Sequence, residues 1–431
     1  MVKWFMILFP FMIFPFASEE FTDVPKLIYL ILFVCIVWAL LGKKREWWTQ
    51  NIQVPITRVD FLIALFFLLI FISTITSVNP FIAVFGMVDR FEGMIAWIIY
   101  LSIFIFSFRL VKVNEVEKLM KGIVVVGILV GIYAIFQHYG LDLLATEKKV
   151  YPVRSAGLFK NPNFFGSYLV IVTMFVVPFY LSANNIKNRT YYLTAISLLT
   201  IAALFSMTRS SWIGIFLGIA FLTLFLIMKR KHLWKRWTLL VGVLIVTVLI
   251  VDKMENGTIL SRAGHTLQES QNLLTGEGDG SEGTHRFFIW EKTLPFVKEY
   301  FWLGSGPDTL YYSVFLPEQE DFEVVFGTEQ YVDKAHNEYL HMAVTMGVPA
   351  LIMYLLIVFT VLFQAFKSLK HVNGRELFLH YGLIAAIIGY IIQAFFNISV
   401  ISVAPFFWCL LGITYGLSFR YIVKGDKPPI S

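Results

Sequence analysis

Charge and cysteine are both scarce in this chain. Of its 431 residues, 15% are Asp, Glu, Lys or Arg, and mean hydropathy is +0.72. Soluble domains carry roughly 25% charged residues, so an ordinary soluble globular protein is excluded. Cys35 and Cys409 both fall inside apolar runs, which offers neither a disulfide framework nor a cysteine-based metal site. No internal repeat stands out, and nothing resembles the broken-helix symmetry of many secondary transporters. What the chain has instead is aromatic bulk: 17% Phe, Trp and Tyr, with 43 Phe, suits a protein whose solvent is largely lipid.

A membrane-crossing helix needs about 20 mostly apolar residues. Twelve segments qualify, at roughly 3–17, 25–41, 59–77, 93–110, 119–139, 164–182, 190–207, 211–228, 237–251, 338–364, 377–396 and 399–421. The opening "MVKWFMILFPFMIFPFAS" also fits a signal peptide ending near Ala17-Ser18. Further spans follow at once, so a retained first span is the simpler reading. With the N-terminus inside, the inner loops and tail hold 22 of the 35 basic residues, as the excess of Lys and Arg in cytoplasmic loops requires. The 252–335 loop, on the outer side, carries 15 of the 29 acidic residues against six basic ones. Structureless loops of that length are uncommon unless they work. Helical patterns such as "HRFFIWEKTLPFVKEYF" and the turn signal "GSGPD" predict a small folded cap, with "TGEGDGSEG" as its mobile tip. The expected architecture is therefore an all-α integral membrane protein with about 12 transmembrane helices and one large, partly helical extracytoplasmic loop. Spans one to nine occupy 1–251, the cap 252–335, and spans ten to twelve with a cytoplasmic tail 336–431.

Basic residues on the outer side run against the charge bias and call for a reason. Arg209 stands between two spans in "FSMTRSSWIGIF", where a charge usually snorkels or faces a cavity. The 140–163 loop carries Lys148, Lys149, Arg154 and Lys160, then starts a span with Asn161-Pro162-Asn163, a capped helix N-terminus suited to an anion. Arg286 opens a helical stretch whose face includes Ile289 or Trp290 and Thr293. Arginines gathered at one end of a bundle suggest an anionic ligand, since the guanidinium fork matches phosphate.

The stretch "YVDKAHNEYLHMAVTMGVPALI" places His336, Glu338 and His341 at the mouth of a span. Metal-binding histidine pairs on a helix sit three or four residues apart, and five residues put these two about 140° apart. That spacing argues against a metal. A general base remains open for His336, against a helix-end histidine satisfied by water, and His341 reads as structural.

The same stretch resembles the His-Asn-x-x-Leu segment of O-antigen ligases and the related Wzy-type polysaccharide polymerases. "AGLFKNPNFFGSYL", "SMTRSSWIGIFLG" and "HRFFIWEKTLPFVKEYFWLGSGPDT" are similar to that family's upstream elements, in its order, and the likeness covers about residues 150–415. The resemblance implies a GT-C-type glycosyltransferase of the cytoplasmic membrane. Its donor would be a polyprenyl-diphosphate-linked glycan, its acceptor a glycan, lipid-glycan or protein hydroxyl on the outer face, with no metal, cofactor or nucleic acid. By motif, His336 would be the base, and Arg209 and Arg286 would bind the diphosphate. Arg154, Lys160, Asn161, Asn163, Trp290, Asp308, Asn337 and Tyr339 are expected to line the substrate site. A lipid-linked glycan flippase is the alternative from another class. A peptidoglycan-polymerase-like enzyme would instead lean on an outer carboxylate such as Asp308.

Overall fold

The computed structural model describes residues 1–13, 23–43, 56–88, 90–144, 154–159, 161–275, 285–327 and 331–425. The described residues form helices and turns and no strand, as an integral membrane protein built of helices must when lipid leaves no water for free backbone groups. Nine described helices are long and apolar enough to cross a membrane. Val2–Phe11 and Met94–Leu110 are shorter apolar helices, and Ile186–Phe205 is a further 20-residue helix in the bundle. The described part of each of the twelve sequence segments overlaps one of these elements, residues 14–17 of the first segment lying outside the described residues.

Pro162–Ser182 is the central helix: it is apolar all round and buried along its span, as that pattern requires. It packs against Val113–His138, Ile186–Phe205, Arg209–Lys229 and Gly374–Ala394. Small residues set the closest approach. A Cβ on Gly214 would meet the Gly389 carbonyl oxygen at 2.7 Å, and one on Gly389 would meet that of Gly214 at 2.9 Å. Glycine at such crossings lets membrane helices touch through their backbones. At the periphery, Lys231–Met254 exposes Leu239, Ile245, Leu249 and Ile250, a face that lipid would cover.

The two ends of the bundle differ. At one end basic side chains tie helix ends together: Arg236 donates to the carbonyl of Leu181 at 2.8 Å, and Arg375 pairs with Glu117 at 2.8 Å. The other end carries the cap. There a small second core gathers Ile289, Leu310, Phe315, Phe322, Val332 and Val344. "GSGPD" is the staple of this end. Ser305 N–H donates to the Val344 carbonyl at 2.9 Å, and the Ser305 carbonyl accepts from the backbone N–H of Val78, also at 2.9 Å. Gly306 (φ +114°) leaves no room for a side chain, since a Cβ there would lie 2.0 Å from the Ser77 hydroxyl.

One element departs from expectation. The segment 338–364, read as one span, is two helices, Glu338–Thr345 and Val348–Ser368. Gly347 (φ +86°) separates them, and Pro349 sits in the first turn of the second helix. A proline at the start of a helix lacks the N–H that would continue the preceding one. The short first helix therefore packs with the cap, through Val344 and Leu340, and the span begins at Val348.

Candidate active site

Four arginines converge where cap meets bundle. Arg209 is the first residue of Arg209–Lys229, and Arg286 is the first of Arg286–Glu299. Arg154 lies in the segment before Pro162–Ser182, where its guanidinium donates to the Ser206 carbonyl and to Asn163 Oδ1, each at 3.3 Å. Arg262 belongs to Thr258–Thr275. Burial pushes the Arg286 guanidinium down to about 10, helped by repulsion from Arg209, then Arg154, then Arg262. Arg262 and Arg154 are lowered by burial and by their arginine neighbours in the same way. Glu269 answers this positive charge: its Oε2 lies 2.7 Å from Arg209 Nη1, and it acts back on Arg286 and Arg262.

His336 stands beside this group. Its half-buried imidazole is held down to about 4, first by burial and then by Arg286, with Asp333 opposing and Arg90 and Lys334 adding to the depression. It is therefore neutral near pH 7 and able to accept a proton. Its Nδ1 is buried without a hydrogen-bond partner among the described residues. The backbone here is held in the left-handed region, at φ +50° for His336, +61° for His285 just before Arg286, and +52° for Met207 two residues before Arg209. Such conformations cost of order 1–3 kcal/mol each and cluster at functional sites.

The frame that holds His336 is ionic. Asp333 takes a forked pair from Arg90, at 2.6 and 3.2 Å, which with Lys334 and His336 keeps its carboxyl below the usual range despite burial. Lys334 is buried against Asp308 Oδ1 at 2.6 Å, while Asp308 Oδ2 accepts from the backbone N–H of Met87 and Glu92. Asp308 is thus spent on structure, at φ +62° and fully covered, and offers no exposed carboxylate. Behind it lies a cavity of about 20 Å³ lined by Glu92, Asp308, Lys334, Glu338 and His341, room for about one water. Burial raises Glu92 to about 8 and Glu338 to about 7, and lowers His341 well below its ordinary value. None of the four arginines lines this cavity.

Several expected ligand residues prove to be occupied locally. Asn161 caps its helix by accepting from Asn163 N–H at 2.8 Å. Asn337 does the same for Tyr339 and Leu340, at 3.0 and 3.1 Å. Asn163 Oδ1 receives Arg154, and Tyr339 donates its hydroxyl to the Ile391 carbonyl. Trp290 donates to the Ala335 carbonyl at 2.9 Å and packs on Phe395 and Phe396. Lys148, Lys149, Lys160 and most of the "TGEGDGSEG" tip lie outside the described residues. The described residues bring no three His, Cys, Asp or Glu side chains together in the manner of a metal site.

Sequence reasoning missed Arg90 and Arg262. Arg90 meets the criterion that singled out Arg209, a base in a short loop on the cap side. Arg262 is hidden among the 15 acidic residues of the loop, although it lies seven residues, two helical turns, from Glu269.

Fold and site together define a multi-pass helical membrane protein with a cluster of arginines beside a neutral histidine. Residues 193–355 match the family described as O-antigen ligase, the family that the motifs resemble. The match takes in Arg209, Arg262, Arg286 and His336, and leaves Arg154 outside. No curated protein matches the chain.

Proposed function

We propose that this protein is a glycosyltransferase of the ligase or polymerase type, moving a glycan from a polyprenyl diphosphate to an acceptor hydroxyl. The observation that carries the reading is the convergence of Arg209, Arg286 and Arg154 beside His336. In the reaction the acceptor oxygen attacks the anomeric carbon, and the bond from that carbon to the diphosphate oxygen breaks. The acceptor proton passes to His336, and polyprenyl diphosphate departs with the bonding electrons. Charge grows on the leaving diphosphate as the bond breaks, and fixed guanidinium groups in a partly dry site stabilise it. The donor's negative charge also offsets Arg286, which strengthens His336 as a base when the donor is bound. No metal is assigned to the reaction.

The charge bias of the sequence, with 22 of 35 basic residues in the loops and tail read as inner, favours the outer face of the cytoplasmic membrane for the site end, with both termini inside. The test supplies purified protein with a polyprenyl-diphosphate glycan and an acceptor in EDTA, and follows product. His336→Ala is expected to cut the rate by roughly 10²–10⁴, and Arg209→Ala to abolish turnover, with both variants folded. Full activity in His336→Ala would remove the base. Movement of the lipid-linked glycan across liposomes without a new glycosidic bond would instead identify a flippase.

A further inference from the structure

Four guanidinium groups crowded at a partly buried site repel one another, and such a cluster needs an anion to hold it together. The chain itself supplies one. Glu269 Oε2 sits 2.7 Å from Arg209 Nη1, and 28% of its side chain remains exposed. Its helix, Thr258–Thr275, packs against Trp234–Met254, where Ile259 near its start is buried with Val251 and Phe205. Glu269 lies ten residues beyond that anchor, about 15 Å along the helix at 1.5 Å per residue. Arg262 lies between the two and shares a face with Glu269. One helix thus supplies both a cation and the carboxylate that answers the cations.

We propose that Arg262 is a fourth arginine of the donor-diphosphate site, and that Glu269 is its built-in counter-ion, displaced when the diphosphate arrives. The proposal rests on the donor reading above and adds two residues to it. A carboxylate and a diphosphate oxygen satisfy the same N–H donors, so they compete for one place. The carboxylate keeps the arginines desolvated and aligned while the site waits, at the cost of some affinity. Diphosphate, with more oxygens and more charge, takes its place and releases Glu269 to solvent.

The experiment measures binding of farnesyl diphosphate to the full-length protein in detergent by calorimetry. Wild type is expected to bind, and Arg209→Ala to lose most of that affinity. Glu269→Gln removes the competitor and should bind about tenfold more tightly, while Arg262→Gln should bind about 10- to 100-fold more weakly, the scale of one charge-assisted hydrogen bond. Glu269→Asp keeps the charge and should stay close to wild type. Weaker binding in Glu269→Gln would show that Glu269 positions Arg209, and would overturn the counter-ion role. Unchanged binding in Arg262→Gln would remove the fourth arginine and leave the donor reading intact. A wild-type protein that binds no farnesyl diphosphate, or binds it equally with Arg209→Ala, would instead sink the donor reading itself.

Discussion

The indole N–H of Trp290 reaches the carbonyl of Ala335 at 2.9 Å, tying the helix that starts with Arg286 to the residue just before His336. The same ring lies against Phe395 and Phe396 at the end of the Gly374–Ala394 helix. Arg286 of the arginine cluster and the proposed base are thereby held to one another and to the bundle. Trp290→Phe keeps the ring packing and deletes the bond, leaving a buried carbonyl unpaired at a cost of about 1–3 kcal/mol. Small errors of position cost catalysis heavily. We expect kcat to fall about tenfold or more with donor KM little changed, because the arginines stay in place. A rise in KM with kcat intact would assign Trp290 to donor binding.

His336 gives a pH signature. Its imidazole is held down to about 4 by burial and by Arg286, with Arg90 and Lys334 adding and Asp333 opposing. A general base must be neutral to accept a proton, so activity falls as pH drops through that value. The profile of kcat/KM reports the free enzyme, and that of kcat the donor complex. Diphosphate beside Arg286 favours the imidazolium, so the acid limb of kcat should lie at higher pH than that of kcat/KM. In Arg286→Gln the limb of kcat/KM should also move up, toward the ordinary histidine value. Coincident limbs in wild type and variant would remove Arg286 as the neighbour that sets this basicity.

Much of this fold was legible because membrane spans announce themselves by length and apolarity. Among the described residues each expected segment overlaps helix, and one departure in detail is instructive. Residues 338–364 are apolar enough to read as one run, but Gly347 and Pro349 divide it, and periodicity cannot show that Val344 belongs to the cap's core. The site was legible in part for a similar reason. Arg209 and Arg286 stand out as cations against the charge bias, whereas Lys26, Arg90 and Lys334 carry the same outward signal and are spent on Asp23, Asp333 and Asp308. The pairing of Arg90 with Asp333 and of Lys334 with Asp308, like that of Arg209 with Glu269, joins residues far apart in sequence and is set by the tertiary fold. Asn161 caps its helix, as its place before Pro162 announced, and Asn337, which the family likeness put among the substrate-lining residues, caps the next helix.

Two glycines offer a paired stability measurement. Gly347 has φ +86°, and a Cβ there would lie 2.8 Å from the Trp302 carbonyl oxygen. Gly347→Ala should destabilise by at least about 1–2 kcal/mol from the backbone alone, loosening the joint between the cap and the Val348–Ser368 helix. Gly264 lies within Thr258–Thr275, and a Cβ there meets nothing within 4 Å. Gly264→Ala should stabilise that helix by roughly 0.5–1 kcal/mol, as alanine does in a helix interior. Thermal unfolding in detergent should move in opposite directions for the two, and a Gly347→Ala protein as stable as wild type would refute the assignment of Gly347 as a strained joint.

Glu92 makes stability itself depend on pH. Its carboxyl is buried, receives the Tyr100 hydroxyl, and is pushed up to about 8 chiefly by burial, against the attraction of Lys334. The unfolded chain would titrate this group near 4.5. Between those values the native state holds a proton that the unfolded state has lost. Stability therefore falls as pH rises from about 4.5 to 8, by up to about 1.4 kcal/mol per pH unit from this group. Glu338, raised to about 7, acts in the same direction over the lower part of that window. Glu92→Gln mimics the protonated carboxyl in shape and cannot titrate. Melting temperatures measured at pH 5, 6.5 and 8 should decline in wild type and decline less in the variant. Equal slopes would show that the native protein keeps Glu92 ionised, with Lys334 shared between Asp308 and Glu92.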